Sequence, residues 1–294
     1  MNGNGKNNLH SAETLGFVLS EGDLSILEAV HEFRFLRREH LSMLLGRHPK
    51  RLHRRLLKLI RKRYLIAIRL PQQKHIYSIG KAGLLVLASL GIATANDRLR
   101  TSELKELFLK HEMMIVDHHV ILRLAGQSGD LHLVRWEEGR ALFDSVLAAD
   151  RGGFTKLPVR PDAFFTIEDR RRETGNNQFH FFLEIDRSTM PHTIFKQKLT
   201  AYRHYREQGI HAKKYRIRSF RVLTMTLTDA RAQNLCDLAA SMLPEGTRKH
   251  FLFGDANRCS LQDPKAVFEE IFLSARAGLV PLVPEPESSL TKTA

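Results

Sequence analysis

Cysteine is nearly absent from this sequence, since only Cys236 and Cys259 occur among its 294 residues. Two cysteines exclude a disulfide framework and a zinc ribbon with four cysteine ligands, so both thiols are expected to be reduced and structural. Long apolar runs are missing too, and no stretch approaches the length of a membrane-spanning helix. The start of the chain, Met1–Asn8, is polar and does not resemble a signal peptide. These absences predict a cytoplasmic protein with no membrane partner.

Motifs for nucleotide and metal cofactors are also scarce. The Gly80–Gly83 segment has neither the spacing of a Walker loop nor its Lys-Ser/Thr ending, so neither a nucleotide nor a flavin is expected. The histidines at positions 111, 118 and 119 have no cysteine partner and no HExxH spacing, which disfavours a zinc site. Tyr202 and Tyr205 are expected to be packing residues rather than nucleophiles, because the three-histidine cluster of a relaxase is not evident.

What the sequence has in excess is positive charge. Its net charge is +14, from 46 lysines and arginines against 32 acids, and its pI is near 10.0. Between Arg34 and Arg63 there are 12 Lys/Arg residues and one acid, Glu39, so about 11 of the 14 excess charges lie in 30 residues. Such clustering predicts double-stranded DNA as the partner, in preference to diffuse contact with a membrane.

The most basic stretch is predicted to be a helix from Pro49 to Arg63. Leu52, Leu56 and Leu59 recur at helical spacing, while the cations fall largely on the other side. A proline suits the first helical position, and an ordered helix of this kind can hold its charges against phosphates. With one residue at the tip of a following hairpin, the predicted DNA contacts are Lys50, Arg51, Arg54, Arg55, Lys58, Arg61, Lys62 and Lys74.

Residues 20–95 are predicted to form a winged helix-turn-helix domain. A helix capped near Ser20 is followed by a short helix ending at Gly46, the basic helix, a hairpin over 64–79 and a helix over 81–90. In such domains the third helix enters the major groove and the hairpin wing contacts the backbone or the minor groove. The alternatives are a solvated basic face on an ordinary helical bundle and, more weakly, RNA binding, which lacks an aromatic stacking surface here.

Residues 101–276 are predicted to form a second, α/β domain, so the fold class is α+β. Disordered segments are expected at 1–19 and 277–294. The predicted elements are a helix over 101–127, strands at 131–136, 159–167 and 178–185, a helix over 192–208, a strand at 220–227, a helix over 229–243, a strand at 250–253 and a helix over 264–275. The order helix, three strands, helix, strand resembles the core of the PD-(D/E)XK nuclease superfamily.

This resemblance implies a pocket of carboxylates. Asp162 on the second strand and Glu184 on the third would hold a hard divalent cation, magnesium being the expected cofactor. Asp186 shares the strand face of Glu184, but it stands where the superfamily usually has its lysine. Lys198, on the following helix, is the expected substitute, so the candidate catalytic residues are Asp162, Glu184, Asp186 and Lys198. The alternative is that these acids pair with nearby cations in a fold that has lost its chemistry, which leaves enzymatic activity open.

Short motifs from both halves lie at 77–83, His111, 136–138, 161–163, 182–187 and 198–202. Together and in this order they resemble the replication-relaxation family of plasmids and other mobile elements. The resemblance spans roughly residues 20–245 and implies a role in the replication, relaxation or transfer of mobile DNA. Replication or conjugation proteins and a second copy of the chain are the implied protein partners. A magnesium-dependent endonuclease and a winged-helix transcriptional repressor, with a C-terminal domain that senses a ligand or dimerises, stay open as alternatives.

Overall fold

The computed structural model of the chain describes residues 18–71, 73–94, 105–150, 152–188 and 190–286. The chain divides into two units, residues 1–101 and 102–294, called here the N-terminal unit and the C-terminal unit. Both units contain helices and β-sheet, so the fold class is mixed α and β, as the sequence predicts. Residues 96–100, between the two predicted domains, and the predicted disorder at 1–17 and 287–294 lie outside the described residues.

The described part of the N-terminal unit is built from four helices and a small antiparallel sheet. A two-residue strand after the first helix, which the sequence did not predict, pairs with the second strand of the hairpin and gives the sheet order β1-β3-β2. The elements are α1 (Glu21–Phe33), β1 (Leu36–Arg37), α2 (Arg38–Leu44), α3 (Pro49–Arg61), β2 (Leu65–Ile68), β3 (Ile76–Ile79) and α4 (Lys81–Ser89).

Helix α3 forms as its sequence pattern predicts. Pro49 occupies its first turn, and the side chain of His48 accepts a hydrogen bond from the backbone N–H of Lys50 at 3.3 Å. The three leucines Leu52, Leu56 and Leu59 are at most 2% exposed and attach the helix to the core of the unit. At roughly 25 cal/mol per Å² of apolar surface, such burial is the main force that orders the helix. The opposite face is left to the cations.

Two glycines allow the start of α4 to pack closely against the backbone that follows α3. A Cβ atom at Gly80 would overlap the backbone carbonyl of Arg63, and one at Gly83 would overlap that of Tyr64. The backbone N–H of Gly80 donates to the Tyr64 carbonyl at 2.8 Å, which holds the two segments together. Glycine at 80 and 83 is therefore a packing requirement.

The C-terminal unit is built around one large mixed sheet. The helices are α5 (Glu106–Ala125), α6 (His192–Glu207), α7 (Ile210–Tyr215), α8 (Asp229–Met242) and α9 (Glu245–Arg248), with 3-10 turns at Arg140–Leu142, Ala256–Arg258 and Pro264–Phe268. The strands are β4 (Leu131–Glu138), β5 (Asp144–Asp150), β6 (Gly153–Val159), β7 (Ala163–Asp169), β8 (Gln178–Asp186), β9 (Arg221–Thr226), β10 (Phe251–Asp255), β11 (Phe272–Ser274) and β12 (Gly278–Val280).

The seven strands of this sheet run in the order β12-β11-β10-β9-β8-β7-β4. Strands β8, β9 and β10 are parallel, and the remaining neighbours are antiparallel. One face buries Phe164, Phe182 and Val222 against α6 and α8. The other buries Phe165 and Leu183 beneath α5. Because both faces are covered, the central strands are apolar, and the polar residues on them lie in protein rather than in water.

Three predictions for this unit need correction. The predicted strand over 159–167 is two strands, since Val159 ends β6 and Ala163 begins β7, and a hairpin of β5 and β6 precedes them. The predicted helix over 264–275 is a 3-10 turn followed by β11, because pairing with β10 outweighs the helical spacing of its apolar residues. The predicted disordered tail is ordered from 278 to 280 as β12, and Leu282 and Val283 beyond it are at most 1% exposed. The short helix α7 was also not predicted.

Candidate functional site

The outer face of α3 carries a row of cations, called here the α3 cationic face. It comprises Lys50, Arg51, Arg54, Lys58 and Arg61, which are exposed, and Lys62, which is half-buried. Within the part of the chain that the structure describes, no carboxylate pairs with any of these six side chains. A helix with one buried apolar face and one unneutralised cationic face attracts counterions, which a polyanion can displace.

Arg55 does not belong to this face, although the sequence placed it there. Its guanidinium donates from Nε and Nη2 to both carboxylate oxygens of Asp23, on α1. Asp23 is fully buried and also accepts hydrogen bonds from the backbone N–H and the hydroxyl of Ser20, both at 2.8 Å. Burial alone would raise the pKa of the Asp23 carboxyl, but the hydrogen bonds from Arg55 and Ser20 hold it below its usual value. Arg55 is therefore a structural link between α1 and α3.

Lys74 lies where the sequence predicts it, in the connection between β2 and β3. Its side chain is 69% exposed, and its Nζ lies 3.3 Å from Oε1 of Glu39, on α2. A shallow cavity of about 280 Å³ in this region is lined by both residues together with Arg38, His53, Gln73, His75 and Tyr77. An exposed ion pair of this kind is weak, so the lysine can exchange its carboxylate for another anion at little energetic cost.

In the C-terminal unit, Asp162 precedes β7 directly. Its Oδ2 accepts a hydrogen bond from the backbone N–H of Ile185 at 2.7 Å, and its own N–H donates to the carbonyl of Leu183 at 2.9 Å. His111 of α5 places Nε2 3.4 Å from the same Oδ2. The burial of His111 lowers its pKa, but the hydrogen bond to Asp162 and the charges of Asp162 and Glu112 together outweigh this and leave the pKa above its usual value. Asp162 thus joins the start of β7 to β8 and α5.

Glu184 is the most deeply buried of the predicted metal ligands, with 3% of its surface exposed. Lys198 of α6 donates to its Oε2, and the hydroxyl of Tyr202, one turn further on α6, donates to its Oε1 at 2.5 Å. Burial raises the pKa of the Glu184 carboxyl, and the charge of Asp162 raises it further, against the opposing effect of Lys198. The predicted lysine therefore does face the predicted glutamate, but as its ion-pair partner.

Asp186 shares the strand face of Glu184, as the sequence predicts, because both contact helices on the side of the sheet opposite to Leu183 and Ile185. Its partner is on a different helix. Arg231 of α8 donates to Oδ2 from Nη2 at 2.7 Å and from Nε at 3.0 Å. Oδ1 accepts the backbone N–H of Ser188 at 2.7 Å. No sequence signal marked Arg231, which lies 45 residues further along the chain.

Comparison with known protein families identifies the family of this chain. A family model described as Replication-relaxation matches residues 27–219, about two thirds of the chain. This chain belongs to the replication-relaxation family. Membership supports a role in the replication or relaxation of plasmid or other mobile-element DNA. The match to the replication-relaxation family contains α3, Asp162, Glu184 and Lys198, but ends before Arg231.

No curated protein and no solved structure matches this replication-relaxation chain. In the portion of the chain that the structure describes, none of the helices combines the length and the apolar character needed to cross a bilayer.

The acids of this replication-relaxation protein do not fit a magnesium ion in the arrangement described. Magnesium requires several oxygen ligands in octahedral geometry. Both oxygens of Glu184 already accept strong hydrogen bonds, and both oxygens of Asp186 are likewise engaged. Among the described residues, no group of three or more His, Cys, Asp and Glu side chains is placed to hold a metal ion. Glu184 and Asp186 instead form ion pairs with Lys198 and Arg231, which neutralise their charges.

Two of the histidines considered as zinc ligands, His118 and His119, are buried in this replication-relaxation protein. Burial lowers the pKa of His118 to about 4 and that of His119 to about 3, so both are neutral at pH 7. His119 stacks on Trp136 with ring centroids 4.1 Å apart. Tyr205 donates to Asp144 at 3.2 Å from a buried position, which agrees with its predicted packing role.

Proposed function

We propose that this chain binds double-stranded DNA through the α3 cationic face, as part of the replication, relaxation or transfer of mobile-element DNA. The observation that carries the proposal is a set of six cations, without a carboxylate partner among the described residues, on a helix whose other face is buried. Arg55 is not counted in this set, because its guanidinium is bound to Asp23 and links α1 to α3. Each remaining cation is available to displace a counterion from a phosphate.

The element order of the N-terminal unit supports a winged helix-turn-helix as the docking device. Three helices precede a hairpin, and the strand β1 between α1 and α2 completes a three-stranded sheet with that hairpin. In this interpretation α3 enters the major groove and the β2–β3 connection, with Lys74, acts as the wing. Glu39, the single acid of the basic region, then holds Lys74 in place until a phosphate replaces it.

For the C-terminal unit we propose a nuclease-like core whose acids stabilise the fold. The meander β4-β7-β8 followed by α6 and a parallel β9 supports the PD-(D/E)XK comparison, with β5 and β6 as an inserted hairpin. The ion pairs of Glu184 with Lys198 and of Asp186 with Arg231 support a structural task for the carboxylates. Replication or conjugation proteins and a second copy of the chain stay predictions as partners.

A metal-dependent endonuclease is the second candidate function. One observation favours it, namely that the ammonium of Lys198 lies against Glu184 and interacts electrostatically with Asp162 and Asp186. The saturation of the two strand carboxylates by donors counts against it. Cleavage chemistry would require these side chains to exchange their present partners for an ion.

Incubation with supercoiled plasmid, with and without magnesium or manganese, separates the two candidates. The expected result is retardation of the plasmid in either condition, with no nicking or linearisation that depends on metal. Retardation should be weakened when Arg51 and Arg54 are replaced by alanine and unchanged when the exposed Lys213 and Lys265 of the C-terminal unit are replaced. Cleavage that requires metal and disappears in the Asp162→Ala and Glu184→Ala variants would establish the endonuclease instead. Failure of the parent protein to bind duplex DNA would remove the proposal altogether.

A further inference from the structure

A second group of cations lies in the C-terminal unit, away from the acids of β8. The parallel strands β8, β9 and β10 begin side by side, since Phe181 is level with Arg221 and Phe251 with Val222. Their amino-terminal ends enclose a cavity of about 270 Å³. Its lining consists of Gln178, Phe179 and His180 from β8, Ser219, Phe220 and Arg221 at the start of β9, and Lys249 and His250 before β10.

The described residues that line the cavity include two permanent cations, Arg221 and Lys249, and two histidines, but no acid. In the described ranges neither Arg221 nor Lys249 forms an ion pair. Arg221 donates from Nη1 to the carbonyl of Leu282 at 2.9 Å, a neutral acceptor that leaves its charge uncompensated. Positive charge that is half-buried and unpaired is costly, so its presence at the mouth of a cavity indicates an anionic ligand.

A third cation adds to the same positive field. Arg206 of α6 lies behind the cavity wall, with Cζ 4.7 Å from the ring centroid of Phe220, and donates to the Phe220 carbonyl. Burial, and then the charge of Arg221, lower the pKa of Arg206 to about 10. The fold therefore holds these two cations close enough for the charge of one to depress the pKa of the other.

Of the two histidines in the cavity, His250 responds to this field. Burial, followed by the charges of Arg206, Lys249 and Arg221, lowers the pKa of His250 to about 3. Burial and the charge of Arg135 lower the pKa of His180 to about 4. Both rings are neutral at pH 7, and each neutral ring has one N–H donor and one acceptor nitrogen. His180 uses Nδ1 in a 3.0 Å hydrogen bond with the hydroxyl of Thr166.

We propose that this cavity binds a phosphate group, carried either by a DNA backbone or by a free phosphate ester. A tetrahedral dianion accepts several hydrogen bonds at once, and the lining residues at the starts of the three strands carry suitable donors: a guanidinium, an ammonium, the Ser219 hydroxyl and the Gln178 amide. The guanidinium of Arg221 suits phosphate in particular because its planar N–H groups can donate in pairs. Phe179 and Phe220 offer apolar surface to whatever the phosphate is attached to.

The test is a titration of the full-length protein with inorganic phosphate, followed by the ring resonances of His250 and by calorimetry. Phosphate is expected to raise the pKa of His250, because the added negative charge opposes Arg206, Arg221 and Lys249. In Arg221→Gln and Lys249→Gln the dissociation constant for phosphate should rise about tenfold, the loss of one charge-assisted hydrogen bond. Lys265→Gln, at an exposed lysine outside the cavity, is the matched control and should bind as the parent does. Thermal melting confirms folding, and Lys249→Gln, whose side chain is exposed, carries the test if Arg221→Gln unfolds.

The source of the phosphate follows from DNA retardation by the same variants. If the cavity takes a backbone phosphate, Lys249→Gln should reduce the salt dependence of DNA affinity by about one unit of slope. If it takes a free phosphate ester, the slope stays that of the parent while binding of inorganic phosphate is weakened about tenfold. The proposal is overturned if Arg221→Gln and Lys249→Gln match Lys265→Gln both in phosphate binding and in the salt slope.

Discussion

Replacing Glu184 with alanine is expected to lower the free energy of unfolding of the C-terminal unit by about 3 kcal/mol, the lower end of the usual effect of breaking a buried ion pair, because the side chain of Lys198 is 28% exposed and water can solvate part of its charge. Lys198 would lose its carboxylate, and the Tyr202 hydroxyl would lose its acceptor in a buried position. Chemical denaturation of the parent and the variant measures the difference.

The control for this prediction removes both charges together. In the double variant Glu184→Gln, Lys198→Met, the amide oxygen of the introduced glutamine still accepts from Tyr202, and neither member of the ion pair is left as an unpaired buried charge. Most of the lost stability should return, because paired removal of a buried ion pair is often close to neutral. If Glu184→Ala is instead more stable than the parent, these residues are held in place for a function and not for the fold.

Replacing Asp23 with alanine is expected to destabilise the N-terminal unit by about 3 kcal/mol, as for a broken buried ion pair. Asp23 is fully buried and joins α1 to α3 through Arg55, whose side chain is 28% exposed. That exposure lets water solvate part of the freed guanidinium, so the loss should fall at the lower end of the range for broken buried pairs. The cap at Ser20 is lost as well, which acts in the same direction.

Neighbouring residues supply the controls for Asp23. Glu21→Ala, at an exposed acid in the same helical turn, should change the stability by less than about 0.5 kcal/mol. Arg55→Ala should resemble Asp23→Ala, whereas Arg54→Ala should melt like the parent and lose DNA affinity. Equal stability of all four variants would contradict the structural assignment of Arg55.

Local patterns in the sequence were sufficient to predict most helices and the central strands. Helix α3 follows from the spacing of its leucines, and α6 and α8 were predicted to within two residues of their ends. Strand β1 has only two residues, which is too short for any periodicity to show. The region over 264–275 repeats apolar residues at helical spacing, but the free edge of β10 recruits part of it as β11. Pairing between distant segments decides such cases.

The sequence predicted where the candidate site residues lie, but not which partners bind them. The alternation of residues along β8 predicted that Glu184 and Asp186 share one face, and they do. Lys198 was predicted to face these acids, and its ammonium contacts Glu184. The partners Arg231 and Tyr202, by contrast, come from the packing of α8 and α6 onto the sheet, which no local pattern reveals. For the same reason the sequence could not separate Arg55 from its neighbours. The cavity at Arg221 and Lys249 exists only because three strands begin side by side.

The salt dependence of duplex DNA binding tests the central claim most directly. Affinity is measured between about 50 and 200 mM salt for the parent, for Arg51→Ala, Arg54→Ala, and for the charge-matched control Lys213→Ala, Lys265→Ala. The expected result is a slope of log affinity against log salt that is shallower by about two units in the α3 variant and unchanged in the control, at roughly 0.9 per phosphate contact. An α3 variant that folds normally and keeps the affinity and slope of the parent would contradict DNA binding through α3.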